Sequence, residues 1–151
     1  MDDLTLARTI HVLSVVVWIG GVYFVTFVVL PVIRSGDDAV DRFEAVETRF
    51  TGHAKIVVTL AGLSGFYMVY RLDAWERYLD PGYWWVHAMT LLWLIFTFVL
   101  FVAEPLFLHA WFVRRAAKSP EQTMALASRF HLIMTLLSLI TIAAAMYGVH
   151  G

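Results

Sequence analysis

The sequence predicts an all-α integral membrane protein, an antiparallel bundle of four spans, and three observations carry that prediction. The chain is 60% hydrophobic and only 15% charged, with mean hydropathy +0.73, well beyond the apolar share of about 45–50% usual in soluble domains. Its apolar residues gather in four runs. The first, Val12 to Ile33, carries no charge and is longer than the roughly 20 residues that cross a bilayer as a helix. Polar stretches containing Pro and Gly separate the runs, as turns between helices require. The 151 residues thus form one membrane domain, with spans at about 4–33, 51–71, 83–113 and 121–149.

Each element has a local reason. Pro31 and Arg34-Ser35-Gly36 mark the end of span one. From Asp37 to Arg49 the chain is polar, with Phe43, Val46 and Phe50 at helical spacing, and reads as an interfacial helix leading into span two. Span two begins near Thr51, with Lys55 snorkelling to the headgroups. A turn rich in Trp and Tyr, Arg71 to Gly82, precedes Tyr83-Trp84-Trp85, the aromatic belt of span three. Glu104-Pro105 interrupts that span, and proline there is expected to kink it. Beyond the basic loop Arg114 to Lys118, Ser119-Pro120-Glu121 reads as an N-cap with Pro at the first helical position of span four.

Composition also excludes functions. The net charge is −1, and there is neither an Arg/Lys-rich stretch nor a Gly-rich phosphate loop, so nucleic acid and nucleotides are not expected partners. The chain has no cysteine, which removes disulfides, thiolate ligands and covalent Cys-x-x-Cys-His haem attachment. No Ser-His-Asp or His-Glu-x-x-His pattern supports hydrolysis. The N-terminus lacks the basic region and cleavage site of a signal peptide and is expected to be retained.

Lys and Arg set the orientation. Arg34, Arg42, Arg49, Lys55, Arg114, Arg115, Lys118 and Arg129 lie on one side, and Arg8, Arg71 and Arg77 on the other. The positive-inside rule then places both termini on the non-cytoplasmic side of an inner membrane. An internal repeat is visible as well: His11 to His53 is 42 positions and His87 to His131 is 44, while Pro31 and Pro105 follow their histidines by 20 and 18. Two helical hairpins on one plan would be related by an axis along the membrane normal.

The histidines are the main functional signal, because His11, His53, His87 and His131 each stand near the start of an apolar run. In an antiparallel bundle His11 and His87 share one side, and His53 and His131 the other. A ring nitrogen from each of two facing helices is what bis-histidine ligation of haem b requires. One haem at His11 and His87 is therefore expected, and a second at His53 and His131 is available. His109, about 33 Å along span three from His87, is an alternative on the inner side. The face of span three that joins them runs through Leu94, Phe98, Phe101 and Pro105. Arg8 reads as an ordinary headgroup contact or as a partner for a propionate; Trp18 and Gly21 line the same face as His11, the glycine leaving room for a macrocycle or for a neighbouring helix. Span four shows a small polar stripe, His131, Thr135, Ser138 and Ile142.

Glu104 and Arg49 are the candidate catalytic residues. An intramembrane carboxyl is costly and marks a proton relay, a quinone contact or a structural hydrogen bond. Copper is the alternative cofactor, since imidazole with a soft thioether such as Met89 or Met134 suits Cu(I). His150, in the tail, is expected to meet solvent. Small residues such as Ala61 and Gly65 permit a homodimer or a larger membrane complex.

The stretch His11-Val-Leu-Ser-Val-Val-Val-Trp18-Ile-Gly20-Gly21-Val-Tyr23-Phe24 resembles the first span of the CopD-type copper-resistance membrane domain and of the HemJ-type protoporphyrinogen oxidases. Glu47-Thr-Arg49-Phe50 resembles a Glu-Arg-Arg-Leu-like entry of the HemJ type, and Trp84-Trp85-Val-His87 the opening of its third span. The resemblance implies a four-helix bundle holding a b-type haem through His11. Where the HemJ type carries lysine, this chain has His87, which suits bis-histidine ligation and departs from the porphyrinogen-oxidising pattern. The CopD type implies copper uptake or handling. Taken together, the expected function is a haem b redox protein, a candidate oxidoreductase moving electrons from quinol or porphyrinogen to a partner; copper handling or a structural subunit role is the alternative.

Overall fold

The computed structural model describes residues 2–36 and 38–150, with side chains to Gly148. Its four long helices, α1 (Asp3–Ile33), α2 (Ala39–Arg71), α3 (Pro81–Ala116) and α4 (Pro120–His150), run alternately up and down. Each holds an 18-residue stretch apolar enough to cross a membrane, and only 22–33% of those stretches is buried within the bundle. The outward remainder is apolar, including Val16, Val17, Leu63, Leu106 and Ile140. Such a surface needs lipid around it. The protein is an all-α membrane bundle of four antiparallel helices.

Chain order is ring order: α1 packs on α2, α2 on α3, α3 on α4, and α4 on α1. At three of these four interfaces an aromatic ring enters the space over a glycine. Phe50 of α2 sits against Gly21 of α1, Trp93 of α3 against Gly62 of α2, and Trp85 of α3 against Gly148 of α4. Small residues let helix backbones approach closely in a membrane, where van der Waals packing drives association. Between the helices lies a core of Trp18, Ile19, Val22, Val58, Phe96 and Met134, with Trp18 edge-on to Phe96 at 4.7 Å.

The α4–α1 seam is held differently. Buried Thr26 and Thr135 meet hydroxyl to hydroxyl at 2.8 Å. Each oxygen also lies 2.7 Å from a carbonyl of its own helix, Val22 and His131. Two hydroxyl protons serve three contacts, so one hydroxyl donates across the seam and the other donates to its own carbonyl. Thr135→Val should therefore cost roughly 1 kcal/mol, the size of an interhelical hydrogen bond in a membrane. Thermal unfolding in detergent would check it; Thr26→Val added to Thr135→Val should then cost little more, because the shared bond is already lost.

Several local details differ from expectation. The polar stretch read as an interfacial helix is, from Ala39 onward, the continuous beginning of α2. Asp37, where that stretch was placed to start, lies outside the described residues. The helix is not broken because no Pro interrupts it and Phe43 is buried against the other helices. Both odd-numbered helices wind into π-helix, over Val25–Val29 ahead of Pro31 and over Val99–Leu108 around Pro105. Wider winding accommodates the carbonyls that a proline cannot pair. At its other end α2 closes with Asp73 at φ 49°, where Ala74 N–H donates to Val69 O and Asp73 N–H to Tyr70 O. That is a Schellman turn built on aspartate in place of the usual glycine. Beside it, Asp3 of α1 accepts from Arg71 at 2.8 Å and from Tyr67 at 2.9 Å, joining the start of α1 to the end of α2.

Candidate functional site

His11 is half-buried and turned toward α2. Its Nδ1 lies 2.9 Å from the carbonyl oxygen of Ala61. A carbonyl only accepts, so the proton resides on Nδ1 and Nε2 carries the lone pair. Ser64 Oγ lies 3.3 Å from the same nitrogen while lying 2.6 Å from the Leu60 carbonyl, to which it donates. The ring rests over Gly65, where a Cβ would come within 3.2 Å of Cε1. Two α2 residues thus orient the imidazole, and glycine makes room for it.

His87 is placed otherwise. It is exposed, with Nδ1 3.1 Å from the Tyr83 carbonyl and Nε2 3.1 Å from the Tyr78 carbonyl. Tyr78 Oη also meets Thr90 Oγ1 at 2.9 Å, so His87 and Thr90 together dock the α2–α3 connection onto α3. The face of α3 through His87, Leu94, Phe98, Phe101, Pro105 and His109 is exposed throughout and looks outward. One ring therefore engages α2 and the other its own connecting turn.

On the basic side, His131 is buried at 7% exposure. Its Nδ1 donates to the Ala127 carbonyl at 3.0 Å, and its Nε2 faces Glu47 Oε2 of α2 at 3.6 Å. That carboxylate oxygen is buried and has no hydrogen-bond partner. The Phe43 and Phe130 rings stand nearly perpendicular to the imidazole, with centroids 5.9 and 6.0 Å away. His53, the expected partner of His131, is instead exposed and donates from Nδ1 to the Arg49 carbonyl one turn back in its own helix. Sequence reasoning did not give Glu47 this role, since it lies in the stretch assigned to the interface.

Glu104 is half-buried and paired: its Oε2 lies 3.6 Å from Lys55 Nζ, which also sits 5.9 Å above the Phe101 ring. The lysine expected to reach the headgroups is turned along the bundle to this carboxylate. Arg8 and Arg49 are exposed. Gly21 is filled by Phe50, which settles its space in favour of a neighbouring helix. Trp18 is buried at 4% exposure, two turns from His11, and its indole N–H has no acceptor. Of the small polar stripe on α4, His131, Thr135 and Ser138 are buried while Ile142 is 37% exposed and faces out. The side chain of His150 lies outside the described residues. Among the described residues no three His, Asp or Glu side chains converge on one point as a metal cage would need.

For a haem, the residues present fit in part. His11 has the setting of an axial ligand, oriented by a backbone carbonyl with the opposite nitrogen bearing its lone pair. Trp18 offers a buried donor that a bound group would satisfy. His87, with both nitrogens against carbonyls, does not fit as the opposite ligand in this arrangement. Compared with protein-family models, curated proteins and solved structures, the chain has no match.

Proposed function

We propose that this chain is an inner-membrane haem b protein, with both termini on the non-cytoplasmic side, that accepts electrons from a quinol or a porphyrinogen and passes them to a partner. The observation carrying this reading is the Nδ1 bond of His11 to the Ala61 carbonyl, which leaves Nε2 as the ligating atom. The haem would supply one-electron redox chemistry at the terminal side of the bundle. This chain's own part is to hold that imidazole through Ala61 and Ser64, to offer Arg8 one turn away to a propionate, and to exclude water with Trp18 and Phe96. The reading requires His11 alone, since His87 would have to release the Tyr78 carbonyl before its Nε2 could ligate.

A second reading is a subunit of a larger membrane complex without a cofactor. It is favoured by the protein partners already held by His53, His87 and His131. An oxidised and reduced absorption spectrum of the purified protein separates the two. We expect a sharp visible band on reduction, abolished in His11→Ala and retained in His53→Ala and His131→Ala. A colourless protein that binds copper at unit stoichiometry would move the assignment to copper handling, and one that binds neither would leave the subunit role.

A further inference from the structure

We propose that the groove on the α4–α1 seam is a binding site for an anionic phospholipid whose headgroup carries hydroxyl donors. The groove is an open cleft of about 500 Å³ between α1 and α4. It exists because this seam lacks the aromatic ring over glycine found at the other three, and because α1 here winds through its π segment into Pro31. The walls are graded along α1. Arg34 and Ser35 stand at the mouth, and Thr26 lies eight residues deeper, about 12 Å of helix rise. Phe27, Leu30, Pro31 and Leu132 line the apolar length between them.

The polar atoms select the occupant. Ser35 Oγ donates to the Val32 carbonyl at 2.8 Å and Ser128 Oγ to the Met124 carbonyl at 2.9 Å, so both hydroxyls offer only lone pairs to the groove. Arg34 supplies cationic N–H donors. A ligand matched to this set pairs a phosphate with headgroup hydroxyls that donate, followed by an acyl chain. A quinone ring brings only acceptors and would use Arg34 alone. The charge is complementary within the groove itself: among the described residues Arg34 is the one charged side chain that lines it, and no carboxylate does.

The test uses the full chain in detergent with phosphatidylglycerol or phosphatidylcholine of identical acyl composition, read by native mass spectrometry and thermal unfolding. Phosphatidylglycerol should be retained as a one-to-one adduct and raise the unfolding temperature, whereas phosphatidylcholine should do neither. Arg34→Gln, a surface change, should weaken retention about fivefold, the effect of one basic residue at an anionic membrane surface. Leu132→Trp, which fills the groove, should remove the adduct while helical circular dichroism is kept. Equal retention of the two lipids, retention unaltered in both variants, or displacement of phosphatidylglycerol by a quinone would overturn the proposal.

Discussion

Gly62→Ala should destabilise the bundle by about 2–4 kcal/mol, far more than one methyl group ordinarily costs on a helix. A Cβ at this position would stand 2.5 Å from two carbons of the Trp93 ring and 2.6 Å from its nitrogen. The indole is held in place: its N–H donates to the Val58 carbonyl at 2.9 Å and its ring packs edge-to-face with Phe66 at 5.5 Å. Overpacking costs roughly 1–3 kcal/mol, and the displaced hydrogen bond adds roughly 1 kcal/mol. The controls are Gly20→Ala and Gly52→Ala, where a Cβ meets nothing within 4 Å. Removing a glycine from an open helical position gains stability in water. Thermal unfolding of the three variants side by side checks the geometry. If Gly62→Ala melts with the two controls, Trp93 does not occupy that space.

Glu104→Leu and Lys55→Met should each lower stability by about 2 kcal/mol, and the double variant should recover most of the loss. Breaking an ion pair by removing one partner leaves an uncompensated charge, whereas replacing both with apolar groups is often neutral or better. The usual figure of about 3–5 kcal/mol for buried pairs is reduced here. The Lys55 and Glu104 side chains retain 34% and 31% exposure, and a 3.6 Å separation is long for a charged hydrogen bond. A double-mutant cycle in detergent measures the coupling directly. Additive losses would mean that Lys55 reaches the headgroups and Glu104 is satisfied elsewhere.

What the sequence reveals follows the range of the physics. The four helices are legible because hydropathy is summed over some 20 residues, and a bilayer forces every backbone group in such a run into a helix. Pro120 at the start of α4 is legible for a local reason of the same kind, whereas Trp85, read as part of an aromatic belt, packs against Gly148 of α4. Partner choice is another matter. His11 and His87 begin their runs alike, yet the rotation of each helix about its axis turns one ring to Ala61 and the other to Tyr78. Hydropathy along α3 does not fix that rotation, because nearly every position is apolar, so its outward face through His87 and His109 could not be told from an inward one. Glu47 and Lys55 were missed as bundle residues for a related reason. Charge in the first turns of a helix reads as interface, and only the continuity of α2 carries them inward.

The correspondence of ring order with chain order has a consequence for biogenesis. Each helix released into the bilayer finds its neighbour already present: α2 meets α1 and can be clasped at once through Asp3 and Arg71, and α3 then lays Trp93 onto Gly62. Only the contact between the last helix and the first joins helices that are not consecutive in the chain. That contact is also the one without an aromatic stitch, resting instead on Thr26 and Thr135. The ring is thus closed last by two hydroxyls and not by an aromatic side chain, so its closure depends on a directional bond where the other seams depend on shape.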